Sequence, residues 1–312
     1  MCRLYRLCTF IAKKSKSMLP FGGYLSSKGN FLLGGYMKVN VYRECVHYRH
    51  KITKAPSLFC GVPIFLRQKL LGKFEIPYIE MFVTTKCNLQ CRNCSNLIPY
   101  IEKRENIPFA EFKRDLDSLL SKTDRLYRLK IHGGEVFLHP ELFEIIRYAD
   151  EQSKIKSIRL ATNGTVLPSA KVLNTLADSK VVVQISDYSA FSDRAEKLVK
   201  ILGSNGVKYV RLYGQKWQDM GKIKKRATNR FESCSITRCT SLYRGKIYVC
   251  SRAAMMEELG CHFYGGIDIT SDKEVFRKEM TLLYNGGHGK ACWYCDGDTE
   301  FAKEIPAGEQ LS

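Results

Sequence analysis

From Ile76 onward, short apolar runs alternate with amphipathic stretches, and this rhythm restricts the fold more than any other property of the 312-residue chain. Ile76 to Thr84 is almost continuously apolar, as expected of a parallel strand buried on both faces. Pro108 opens a stretch in which Phe109, Phe112, Leu116, Leu119 and Leu120 recur on one helical face. The alternation continues with a strand expected over Leu129 to His132, a helix over Glu141 to Gln152, a strand over Ser157 to Ala161 and a helix over Ala170 to Ala177. A strand over Val181 to Ile185, a helix over Asp193 to Leu202 and a strand over Val207 to Tyr213 complete it. Five strands with helices between them imply a β/α barrel or an open parallel sheet. In both, functional groups gather where the strands end.

Those ends carry chemistry. Cys87, Cys91 and Cys94 follow the first strand as CxxxCxxC, Gly133-Gly134-Glu135 follows the second, Thr162-Asn163-Gly164 the third and Ser186-Asp187 the fourth. Three thiolates in one loop can hold an iron-sulfur cube while leaving one iron open to a small molecule. Structural zinc requires a fourth ligand, and no further Cys or His lies near this triplet. Glycines at a strand end let backbone approach a partner closely. Thr-Asn-Gly and Ser-Asp are equally at home in a turn closed by an Asx hydrogen bond.

CxxxCxxC followed by Gly-Gly-Glu resembles the radical S-adenosylmethionine superfamily. The resemblance implies a partial (β/α) TIM-like barrel, a 4Fe-4S cluster on Cys87, Cys91 and Cys94, and S-adenosylmethionine bound at the open iron. It further implies that the cofactor is cleaved to a 5'-deoxyadenosyl radical that abstracts hydrogen from a C–H bond, with electrons from a flavodoxin- or ferredoxin-type donor. Gly133, Gly134 and Glu135 would meet the cofactor's amino group; Thr162, Asn163, Ser186 and Asp187 would meet its ribose and carboxylate. Many members carry an aromatic before the third cysteine, near the adenine, where this chain has Asn93.

Beyond about residue 216 the parallel rhythm stops. Cys234 is followed by ten residues, Gly245, four residues and Cys250, with a hairpin turn and second strand expected over Gly245 to Val249, and then by Cys292-Trp-Tyr-Cys295. A hairpin cysteine pair plus CxxC also suits a zinc ribbon. The pattern resembles the SPASM and twitch extensions, which implies a second, auxiliary 4Fe-4S cluster on Cys234, Cys250, Cys292 and Cys295, with Cys239 the alternative to Cys234. Such enzymes oxidise or epimerise carbon centres. A sugar-like small molecule is therefore the expected substrate, peptide maturation the alternative, and Cys261, between Gly260 and Gly265, a candidate hydrogen-atom donor.

The net charge of +19 looks like a signal for nucleic acid until it is located. Residues 1–75 hold 14 Lys and Arg against Glu44 and Glu75, a surplus of 12 that leaves 7 for the other 237 residues. There the charge is mixed with Tyr5, Phe10, Phe21, Tyr24 and Phe31, a composition that suits an anionic membrane surface, a solvated tail or weak RNA contact. Arg3, Arg6, Lys13, Lys14 and Lys16 interrupt any signal-peptide core. A cytoplasmic location is expected, with peripheral contact at the inner membrane face through the basic segment. Nine of the 13 cysteines lie at or after Cys87, which favours metal chemistry over disulfides; Cys2, Cys8, Cys45 and Cys60 read as ordinary thiols. The expected division is an extension over 1–75, the barrel over 76–215 and an α+β cysteine-rich cluster domain over 216–312.

Overall fold

The computed structural model describes residues 71–311 except 215, 238, 264, 300 and 301, together with the strands β1 (Gly23–Leu25), β2 (Phe31–Leu33) and β3 (Met37–Val39). These three form a small antiparallel sheet, which no period-two alternation announces. The rest of the basic segment, its four thiols and the membrane face expected of it lie outside the described residues. Among the described residues no helix is long and apolar enough to cross a membrane.

The main sheet has the order β13-β12-β11-β5-β6-β7-β8-β9, with β4 (Glu75–Ile76) beside β6. Strands β5 (Ile79–Thr84), β6 (Arg125–Gly133), β7 (Ile155–Thr162), β8 (Val181–Ser186) and β9 (Tyr209–Leu212) are mutually parallel. The run expected as one strand from Ile76 is divided at Pro77-Tyr78, where proline offers no backbone donor to the ladder. β6 starts four residues before the expected Leu129, because Arg125, Tyr127 and Arg128 hide the strand pattern; Tyr127 donates to Glu75 at 2.7 Å and Arg128 to Ser157 at 3.2 Å.

Helices α1 (Phe109–Lys122), α2 (Leu142–Glu151), α3 (Ala170–Ala177) and α4 (Ser192–Ser204) cover one face. Their buried Phe112, Leu116, Ile145, Leu176 and Leu198 share a core with Met81, Val83, Leu129, Ile131, Leu160 and Val183. Each such side chain stabilises the fold by about 1.5–3 kcal/mol on burial. Strand side chains alternate between faces, so the opposite face, the barrel interior, receives Glu80 and Phe82, Lys130 and His132, Arg159 and Ala161, and Gln184. The register lines Glu80, Lys130 and Arg159 in one row across three strands.

Later chain extends the same sheet. β11 (Ser241–Tyr243) pairs in parallel with β5, and β12 (Lys246–Tyr248) and β13 (Ile267–Asp268) follow antiparallel. The expected boundary at 215/216 therefore divides two stretches of chain and not two sheets. The hairpin turn at Arg244-Gly245 has positive φ at both positions, 46° and 74°, the twist that two-residue hairpins need. α5 (Ser251–Glu258) and α6 (Lys273–Tyr284) complete this region, and β10 (Lys216–Gln218) pairs with β14 (Glu304–Pro306) as a separate ribbon.

Candidate functional site

At the end of β5 the register against β6 shifts between Phe82 and Thr84, the kind of irregularity that re-aims the following chain. Cys87, Cys91 and Cys94 then line a cavity of about 90 Å³ together with Gly133, Gly134, Asn163, Tyr188 and Trp217. The glycine pair is required by the neighbouring backbone. A Cβ at Gly133 would collide with the Thr84 carbonyl, and one at Gly134 with the Lys86 carbonyl and, at 2.9 Å, the Cys87 Cβ. Gly134 N donates to Thr84 O and Glu135 N to Lys86 O, both at 2.8 Å. The second strand's end thus grips the segment that delivers Cys87. The loop closes at Leu97, a buried residue with φ of 56°, a conformation that costs a bulky side chain about 1–3 kcal/mol.

Glu135 is fully buried beneath this wall. It accepts from Phe137 N at 3.1 Å, Thr162 Oγ1 at 2.7 Å and Asn163 N at 2.8 Å. Burial pushes its carboxyl up to about 7 against these donors. Asn163 Nδ2 in turn donates to Cys87 Sγ at 3.7 Å and to Asn88 Oδ1 at 3.1 Å. Asp187 accepts from Ser192 Oγ and from Arg211 Nε, each at 2.8 Å. Of the seven residues expected against the cofactor, Gly133, Gly134 and Asn163 line the cavity; Glu135, Thr162, Ser186 and Asp187 do not. For Glu135, Thr162 and Asp187 the reason is that their polar atoms are engaged within the protein.

Two aromatics at the cavity carry no motif. Tyr188 follows Ser186-Asp187, so its strand-end position was the available signal, and its ring meets Trp217 edge-on at 5.1 Å. Burial holds the Tyr188 phenol in its protonated form. Gln310, 219 positions from Cys91, donates to Cys91 Sγ at 3.2 Å, and nothing local in the sequence marks it.

The structure gathers a second set. Cys250 lies within electrostatic reach of Cys292, Cys295 and Cys234, and burial pushes its thiol well above the ordinary range. Cys234 Sγ accepts from Asp298 N at 3.2 Å and Cys250 Sγ from Ala253 N at 3.4 Å. Cys239 lies beside Tyr78. Cys261 is half-buried, against the apolar cluster that borders both sets.

Comparison with known proteins decides the family. The Radical SAM superfamily profile matches residues 81–199. These residues carry a radical SAM domain. The chain is 29% identical over 156 residues to the antilisterial bacteriocin subtilosin biosynthesis protein AlbA of Bacillus subtilis, covering 44% of this chain and 33% of that protein. It is 31% identical over 142 residues to the PqqA peptide cyclase of Rhodopseudomonas palustris, 43% of this chain and 35% of that one. The chain spans about a third of the length of the curated relatives it matches. Among solved structures, BtrN in complex with AdoMet and 2-DOIA superposes with a TM-score of 0.50 at 19% identity, covering 75% of this chain and 98% of that one. This likeness concerns the fold: a partial barrel, open here because, among the described residues, no strand joins β9 to β13.

Radical SAM enzymes use a 4Fe-4S cluster and S-adenosylmethionine, and the donor set fits them. Burial pushes the Cys87 thiol up to about 12 and raises Cys91 and Cys94 as well, so a cationic metal is needed before thiolates form here. Among the described residues no three His, Cys, Asp or Glu side chains converge closely enough to hold a single metal ion. Cys87, Cys91 and Cys94 line one cavity, as ligands to separate corners of a cube would.

Proposed function

We propose that this chain is a radical SAM oxidoreductase that oxidises or epimerises a carbon centre of a polar, sugar-like small molecule held inside the partial barrel. When bound, the cluster and S-adenosylmethionine would supply a 5'-deoxyadenosyl radical for hydrogen abstraction. Cys87, Cys91 and Cys94 would hold the cluster. Gly133, Gly134 and Asn163 would form the cofactor's wall, and Tyr188 and Trp217 would offer it the aromatic surface that Asn93 does not. Glu135, Thr162 and Asp187 would act as positioning residues, keeping the strand ends in register. Cys234, Cys250, Cys292 and Cys295 would hold an auxiliary cluster that accepts an electron from the substrate, and a flavodoxin- or ferredoxin-type protein would supply the first set.

The observation that carries the substrate reading is the inner row. Lys130 Nζ donates to Glu80 at 3.1 Å, the Tyr78 hydroxyl donates to the same carboxylate, and His132 Nε2 lies 3.4 Å from its other oxygen. Arg159 Nη1 is buried without a hydrogen-bond partner. A wall of donors and acceptors suits hydroxyl-rich or anionic groups, which lose affinity sharply in an apolar pocket. Peptide maturation is the second reading, favoured by the names of AlbA and the PqqA peptide cyclase.

Anaerobically reconstituted protein given S-adenosylmethionine and reductant should form 5'-deoxyadenosine faster with aminocyclitols or sugars than with peptides; the reverse order would overturn the substrate assignment. In deuterated water an epimerase leaves one deuterium at the reacting carbon, and a dehydrogenase forms a carbonyl with none. If Cys261 is the hydrogen-atom donor, Cys261→Ala abolishes epimerised product while 5'-deoxyadenosine still forms. Failure to bind anionic liposomes at low salt would remove the membrane role of residues 1–75.

A further inference from the structure

Arg252 occupies a place that should be hostile to a cation. It sits in the first turn of α5, where the helix dipole opposes positive charge, and it is only 4% exposed. Its contacts are neutral: Nη2 donates to Gly221 O at 2.7 Å and Nη1 to Ser95 O at 3.4 Å, while Nε is buried with no partner. The nearby carboxylate, Asp296, is held in a two-pronged pair by Arg226 at 2.7 and 2.8 Å. A buried guanidinium without a counter-charge costs several kcal/mol, so an anion is owed to this position.

Its two ends show where the anion comes from. Arg252 lies two residues after Cys250, and its Nη1 reaches the carbonyl of the residue after Cys94. Arg252 lies within electrostatic reach of both Cys94 and Cys295. Leu97, Ile98, Tyr248, Ala253 and Met255 belong to one apolar cluster against which Cys87, Cys94, Cys250 and Cys295 all pack. Both sets therefore face the same low-dielectric matter, where a fixed charge acts far more strongly than in water.

We infer that Arg252 is a shared counter-charge for the two cysteine sets, raising the reduction potential of both clusters they hold. The inference rests on the two-cluster reading above. Each cluster gains one negative charge when an external one-electron donor reduces it, and a neighbouring cation favours that state without transferring a proton. Arg252 is thus a positioning residue for charge that touches neither substrate nor S-adenosylmethionine.

The test is a redox titration followed by electron paramagnetic resonance on the reconstituted full chain, with iron and sulfide counted in the same samples. Arg252→Met carrying the unaltered protein's iron and sulfide should show both potentials lowered. At a fixed solution potential the oxidised-to-reduced ratio of each cluster should rise about tenfold, ~59 mV for one electron. A combined Cys87→Ala, Cys91→Ala and Cys94→Ala chain, with and without Arg252→Met, reads the second cluster alone. Arg252→Lys keeps the charge and should hold both ratios within about threefold of the unaltered protein; it carries the test if Arg252→Met fails to load. Fully loaded clusters whose potentials stay put or move singly in Arg252→Met, or a shift in Arg252→Lys as large as that expected of Met, would overturn the inference alone. Zinc without sulfide in the unaltered protein would overturn the two-cluster reading and the inference with it.

Discussion

The two cysteine sets use the same donor atom and differ in what holds it. At the first, Cys87 and Cys91 sulfurs accept from the side chains of Asn163 and Gln310, with Leu89 N as a backbone donor to Cys87. At the second, Cys234 and Cys250 accept from Asp298 N and Ala253 N. The site with three thiols beside a cavity adds replaceable side-chain donors to backbone ones; at the site with four, Cys234 and Cys250 are held by backbone donors, which only proline deletes. This suits an open corner that must accommodate a cofactor and a closed cluster that need only exchange electrons.

The most severe way to break this contrast is to remove one thiol from each set. Cys91→Ala should lower iron from about eight to about four per chain and reduce 5'-deoxyadenosine formation to background. Cys292→Ala should lose the same iron yet retain cleavage of S-adenosylmethionine within about tenfold, while product formation stops. Equal loss of cleavage in both would mean that the sets are not separable in role.

Next in size are the glycines. Gly134→Ala drives a Cβ into the Lys86 carbonyl and to 2.9 Å from Cys87 Cβ, and overpacking against backbone costs about 3 kcal/mol or more. Gly245→Ala, at φ of 74° with nothing within 4 Å, pays only the left-handed backbone cost of about 1–2 kcal/mol. Urea unfolding of the two variants should rank them in that order, and the opposite ranking would remove the close approach as the reason for the Gly-Gly pair.

That pair shows how far sequence carried. Strand ends were legible because the core alternation places them: α3 spans the same residues that were expected, Ala170–Ala177, with Ser169 Oγ accepting from Val172 N as an N-cap. The cysteines and Gly133-Gly134 were legible because their chemistry and spacing are local. Asp187 shows where locality ends: it stands at a strand end, yet Arg211, 24 residues away, claims its carboxylate. Gln310 and Arg252 were invisible for a related reason, since each acquires its role only when the sheet brings residues more than 150 positions apart together.

The two regions should also respond to pH with opposite sign. Glu135 has a folded value near 7 against an ordinary 4.5, so the stability its protonated form contributes is fully present below about 4.5. It is lost as pH rises through 7, by about 3 kcal/mol at most. Asp296 is lowered by its Arg226 pair, so its contribution is present above its ordinary value of 3.8 and is lost as acid protonates it. Urea midpoints of the metal-free chain measured between pH 4.5 and 7.5 should fall with pH, and Glu135→Gln should flatten that slope. A slope unchanged in Glu135→Gln would assign the titration elsewhere.

The smallest effect tests the side-chain support itself. Gln310 Nε2 also donates to Gly308 O at 2.6 Å, and its Oε1 accepts from Gln90 N at 2.7 Å. The segment is held independently by backbone bonds from Leu311 N to Gln90 O at 2.7 Å and Arg92 N to Glu309 O at 2.8 Å. Gln310→Ala should therefore cost only about 1 kcal/mol, because Gln90 is exposed and water replaces the lost partner. The Cys91 sulfur loses a donor that had stabilised its negative charge, so the first cluster's potential should fall while the second stays where it is. A stability loss several times larger would mean that the side chain, not the backbone, ties residues 309–311 to the cysteine loop; an equal fall at both clusters would mean that their sulfur ligands are not separately supported.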